Sequence, residues 1–143
     1  MLSVALIVNY SIIIGFMIFF VTVVSPVAIS ALDQETLAVF LRKIFPRMFL
    51  FGLLASLLGS LVLIYLQQIE IFTIALVICF GFGINLFLLT PRINSIRDDK
   101  GLSDVERRRL FKTYHGLSVL LFVLNFVLAV CVIYFQIAVL FKT

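Results

Sequence analysis

The sequence predicts an all-α integral membrane protein: a bundle of four transmembrane helices with a short amphipathic surface helix between the first two. Three observations carry this. Of 143 residues, 64% are apolar and 13% charged, whereas a soluble domain ordinarily holds about 45–50% apolar residues. The apolar residues gather into four runs, each near or above the roughly 20 residues that cross a hydrocarbon core. The charges fall almost entirely between those runs. Such a composition excludes a soluble globular enzyme, a disordered chain and a disulfide-stapled secreted module.

The first run, about 4–31, contains no charge. It is too long for a signal-peptide core and no Lys or Arg precedes it, so it is expected to be a span. Pro26 is expected to kink it, because proline cannot donate to the carbonyl of Thr22. In the next segment, about 33–45, Leu37, Phe40, Leu41 and Ile44 recur at helical spacing behind Asp33, a capping residue type. This reads as an amphipathic helix on the membrane surface, ended by Pro46, which also suits the first turn of the second span. The second and third spans are expected at about 48–66 and 71–97, with a second kink at Pro91. Ser103 and Glu106 form a capping-box pattern, so the fourth helix is expected over about 104–140, roughly 55 Å at 1.5 Å per residue. The whole chain, 1–143, is read as one transmembrane domain.

Charge sets the expected orientation. Arg42, Lys43 and Arg47 lie between the first two spans, and Arg92, Arg97, Lys100, Arg107, Arg108, Arg109 and Lys112 between the last two. Only Lys142 lies elsewhere, so the positive-inside rule expects both connections in the cytoplasm and both termini outside, in a plasma or bacterial inner membrane. The net charge of +4 is thereby accounted for, and no broad basic face is left to bind nucleic acid.

Within the spans, Gly52, Ser56, Gly59 and Ser60 form a stripe of small residues that lets helix backbones approach closely. Strongly polar residues are scarcer and more informative. Asn85 and Arg92 stand seven apart in the third span, and His115, Ser118 and Asn125 share a face of the fourth. Intramembrane polar groups usually point into the bundle, so these five form a candidate polar cluster. Asn85, Arg92, His115 and Ser118 are expected to converge within hydrogen-bonding or one-water reach, and the ligand-pocket reading rests on that convergence. The alternative reading is interhelical hydrogen bonding plus an arginine reaching the headgroups. No catalytic residues, metal site or cofactor are expected. One histidine cannot bind a haem from both sides, no carboxylate lies inside a span, and Cys79 and Cys131 lie in apolar runs as small hydrophobes.

Several short segments carry a family resemblance. They are Ser25-Pro26 closing the first span, Ile44-Phe45-Pro46-Arg47, Thr90-Pro91-Arg92-Ile93-Asn94, and Phe111 with Tyr114-His115-Gly116-Leu117-Ser118-Val119, followed by Asn125. In this order the chain resembles the four-helix membrane family of unknown function that includes transmembrane protein 205. The resemblance implies a four-helix membrane protein and no established reaction, substrate or cofactor. The first span departs from the family pattern in lacking Trp, with Phe16 or Tyr10 in its place.

Three functions compete. The leading expectation is a non-catalytic accessory or structural subunit, because sixteen phenylalanines offer more contact area than a four-helix core needs and leave apolar outer faces for lipid and other membrane subunits. The alternative is a small-solute carrier or ligand-binding protein using the polar cluster at the cytoplasmic side. An oxidoreductase holding a cofactor on His115 would need a second chain for further ligands. A cavity near the inner ends of the third and fourth spans discriminates the first two.

Overall fold

The computed structural model describes residues 1–141, and among these every regular element is a helix. Four helices are long and apolar enough to cross a membrane: α1 (Leu2–Ala31), α2 (Gln34–Tyr65), α3 (Ile69–Asp98) and α4 (Asp104–Leu140). Lys142, counted above on the side opposite the other cations, lies outside the described residues.

The helix starts follow the capping chemistry. The Asp33 carboxylate accepts from the backbone N–H groups of Glu35 and Thr36, both at 3.0 Å, and from the Thr36 hydroxyl at 2.7 Å. The Thr36 amide and hydroxyl, with the Glu35 amide behind them, hold this carboxyl below the usual carboxylate range. Ser103 and Glu106 form the full capping box. The Glu106 amide donates to the Ser103 hydroxyl at 3.3 Å, and the Ser103 amide donates to the Glu106 carboxylate at 3.2 Å.

One boundary differs from the sequence reading. The segment about 33–45 is helical, yet it is no separate surface helix: it forms the first turns of α2, which continues through Pro46. A proline inside a helix costs about 3 kcal/mol. Ending the helix there would orphan several backbone groups at the edge of an apolar medium, which costs more. Ile44 and Phe45 also pack on the same core as Met48 and Phe49, so one straight face serves both halves. Beside the proline, the Arg47 guanidinium donates to the Lys43 carbonyl at 2.7 Å.

The expected kink positions are also more specific than a missing hydrogen bond. A π-helical turn precedes both of these prolines, Phe20–Val24 before Pro26 and Asn85–Leu89 before Pro91; Pro46 has none. In each turn an amide reaches back five residues, Ser25 to the Phe20 carbonyl and Thr90 to the Asn85 carbonyl. The wider turn takes up the clash between the proline ring and the preceding turn.

Leu6, Tyr10, Ile13 and Met17 of α1 share one buried cluster with Met48, Phe49 and Leu63 of α2. Phe20 of α1, Ile71, Ala75, Ile78 and Phe82 of α3 and Ala129 and Val132 of α4 complete it. Helix α1 packs on α2 and α4 through Leu2–Phe19, but beyond its π turn it makes no comparable backbone approach to either. The Phe20 ring still reaches Phe45, 5.3 Å between centroids. The last third of α1 therefore splays from α4 at the charge-rich end of the bundle.

Candidate functional site

The splay leaves a cleft of about 710 Å³ between all four helices, within the roughly 300–1,000 Å³ typical of small-molecule sites. Its walls run from Met17 to Ile29 on α1, Leu37 to Phe49 on α2, Thr90 to Arg97 on α3 and Phe111 to Phe126 on α4. Most of that wall is aliphatic or phenylalanine. The polar lining residues are Thr22, Ser25, Arg42, Thr90, Asn94, Arg97, His115 and Ser118, and the lining holds neither a carboxylate nor a cysteine.

Charge is concentrated at the mouth. Arg42 of α2 reaches across to Asp98, the last residue of α3, in a two-pronged pair with N···O distances of 2.8 and 2.5 Å. The pair is solvent-accessible, so water screens it and it adds little to stability; its main effect is to fix the Arg42 guanidinium at the rim. The Arg97 guanidinium lies over the Phe111 ring, 4.9 Å from its centroid. On the same ring His115 stacks nearly parallel, 5.4 Å between centroids with planes 8° apart. Phe111 thus positions both a cation and an imidazole at the cleft entrance.

The five polar residues singled out in the sequence do not form one cluster. Asn85 and Ser118 meet in the bundle interior. The Ser118 hydroxyl donates to the Asn85 carboxamide oxygen at 2.5 Å, and the Asn85 amide approaches the Ser118 carbonyl at 3.5 Å. His115 is exposed on the cleft wall. Arg92 does not line the cleft; it is exposed and lies over the Tyr114 ring at 5.7 Å. Asn125 is fully buried against Gly81, with neither polar side-chain atom hydrogen-bonded. Of the expected convergence, the Asn85–Ser118 contact is present, while among the described residues no hydrogen bond joins Arg92 to His115 and Arg92 takes no part in the cleft wall.

The reason is the π turn at Asn85–Leu89. Residues seven apart share a face only if every turn holds 3.6 residues. One extra residue turns all later side chains by roughly 100°, so the face of Asn85 continues at Ile93, which lines the cleft, and Arg92 points elsewhere.

The small-residue stripe faces inward throughout. A Cβ on Gly52 would stand 2.6 Å from the Phe82 ring, and one on Gly59 would stand 2.8 Å from Tyr10. Ser56 and Ser60 are buried. The Ser60 hydroxyl lies 3.5 Å from the Cys79 sulfur.

Three polar partners escaped the sequence reading. Gln136 and Gln68 hydrogen-bond to each other at the end opposite the cleft, Asn9 of α1 donates to the Ala55 carbonyl of α2 at 3.0 Å, and Arg42 pairs with Asp98. Opposite charges on the two long connections are the one visible signal for the last. Among the described residues no three His, Cys, Asp or Glu side chains gather as metal ligands.

No curated protein and no solved structure matches the chain significantly. A family model described as a domain of unknown function, DUF4149, matches residues 8–101. That agrees with an uncharacterised family, while the narrower likeness to transmembrane protein 205 is not what this model describes. The match covers the first three helices and both π turns, and the chain belongs to the DUF4149 family.

Proposed function

We propose that this multi-pass membrane protein is a non-catalytic binding protein that holds an amphiphilic molecule of the bilayer in the cleft between its helices. The observation that carries this reading is the cleft itself: about 710 Å³ of mostly apolar space, opened where α1 leaves the bundle. Apolar walls gain dispersion contacts from an apolar guest that fills the space between them, and a site lined this way favours one. In a bilayer the nearest such guest is an acyl chain. The scarcity of acid–base partners around His115 supports binding over reaction. The clustering of Lys and Arg supports an orientation with the cleft mouth in the cytoplasm and the N-terminus outside. The accessory-subunit role expected from the sequence would place a partner's helix in the same space.

The test is retention. Protein purified in a mild detergent should carry close to one amphiphile per chain by native mass spectrometry, and a cleft-filling variant, Val119→Trp, should lose it. Equal retention in parent and variant, or none in either, refutes the reading. A stoichiometric co-purifying membrane polypeptide displaced by Val119→Trp would replace it with the subunit role.

A further inference from the structure

The mouth of the cleft has a charge imbalance that says which amphiphile fits. Two guanidinium groups line it, Arg42 and Arg97. The carboxylate of Asp98 is engaged by Arg42 through both of its nitrogens. Arg97 is half-buried and, among the described residues, has no ion pair. Its guanidinium lies over the face of Phe111, and it feels both the repulsion of Arg42 and the weaker attraction of the Asp98 carboxylate that Arg42 engages. Two guanidiniums sharing one carboxylate leave a net positive charge partly withdrawn from water, which is destabilising, and an arriving anion relieves it. Asn94 and His115 line the same end and can donate to the oxygens of that anion.

Below this cationic rim the walls turn apolar. Along α4 they run from Phe111 to Phe126, a rise of about 22 Å at 1.5 Å per residue. One leaflet of hydrocarbon is about 15 Å thick, so the cleft is long enough to hold the acyl chain of a lipid in that leaflet. An anion with no tail would leave that length unfilled. The flanking connection carries Lys100, Arg107, Arg108, Arg109 and Lys112 against Asp99, Asp104 and Glu106, and its remaining positive charge favours anionic lipid at the adjacent headgroup layer.

Resting on the reading of the cleft as a binding site, we infer that its occupant is an anionic phospholipid of the bilayer. Its phosphate sits on the Arg97 guanidinium, and one acyl chain lies along α4 between Phe111 and Phe126. Arginine suits this role because its planar fork meets two phosphate oxygens at once. The Arg42–Asp98 pair acts as the rim beside it and keeps Arg42 from folding over Arg97.

The decisive experiment titrates delipidated full-length protein with phosphatidylglycerol or with phosphatidylcholine of identical acyl chains, read by native mass spectrometry. Phosphatidylglycerol should bind at least tenfold more tightly. Arg97→Gln should weaken phosphatidylglycerol binding much more than phosphatidylcholine binding, because only the first keeps an uncompensated negative charge, and so erase the preference; Arg97→Lys should keep most of it. Equal affinities for the two lipids in the parent, or a preference that survives Arg97→Gln, overturns the anionic assignment and leaves cleft binding standing. Absence of binding by either lipid to the parent overturns the cleft reading itself. Displacement of phosphatidylglycerol by millimolar inorganic phosphate would show a free-anion site, and overturns the lipid assignment.

Discussion

Gly52 offers the sharpest measure of how closely α2 and α3 approach. An ideal Cβ there would lie 2.6, 2.7 and 2.8 Å from three ring carbons of Phe82, against an optimal carbon–carbon separation of roughly 3.5–4.0 Å. Phe82 is fully buried and the Phe16 ring stands 6.2 Å away, so the ring has to give by about an ångström with little room to do so. Overpacking of this kind costs about 1–3 kcal/mol. Alanine also recovers up to about 1 kcal/mol of helix propensity, which would blur a single measurement. Gly83 supplies the control: it lies in the same helix pair, and a Cβ there meets nothing within 4 Å. Both substitutions gain the same propensity, so the difference between Gly52→Ala and Gly83→Ala isolates the packing term, about 1–3 kcal/mol. Thermal unfolding in detergent should show Gly52→Ala melting below Gly83→Ala, and Phe82→Leu on the Gly52→Ala background should recover part of the loss. If the two glycine variants melt together, α2 and α3 are farther apart than described and the small-residue stripe does not set their distance.

Two further outcomes are expected. Asn125→Leu keeps the side-chain volume and removes a buried carboxamide whose two polar atoms have no partner; relieving that penalty should raise stability by about 1–3 kcal/mol, and a lowered melting temperature would mean the carboxamide is hydrogen-bonded after all. Single cysteines at Ser3 and Ser103 should label from opposite faces of the membrane with an impermeant maleimide, Ser103 from the cytoplasm; labelling from one common side sinks the orientation.

Composition and the lengths of the apolar runs were enough to specify four spans, because crossing a bilayer imposes a length that few soluble elements share. The capping residues Asp33 and Ser103 were legible for a similar reason: a cap is local, made by a side chain and amides two or three residues away. What the sequence hid depends on geometry over longer distances. The continuity of α2 through Pro46 is decided by the shared core face on both sides of the proline, not by the proline. The position of Arg92 is decided by a turn of unusual width, which no spacing rule anticipates. The cleft was out of reach for the same reason, since it comes from where α1 goes after Phe20. The pairs Arg42–Asp98 and Gln68–Gln136 join residues 56 and 68 apart in the chain, and either glutamine alone reads as an ordinary polar helix end.

The two π turns also bear on how this chain tolerates changes in length. A π turn is an α-helix carrying one surplus residue, bulged so that the flanking segments keep their facing. Deleting one residue within Asn85–Leu89 would therefore leave Ile93 and Arg97 directed as they are and remove only the local widening. Deleting one residue from the regular α-helical stretch Ile69–Ile84 would instead rotate everything beyond it by roughly 100° and turn buried faces toward lipid. Single-residue deletions should consequently be survivable at Phe20–Val24 and Asn85–Leu89 and ruinous a turn or two away. Those ten positions are where homologous chains can differ in length without redrawing the bundle.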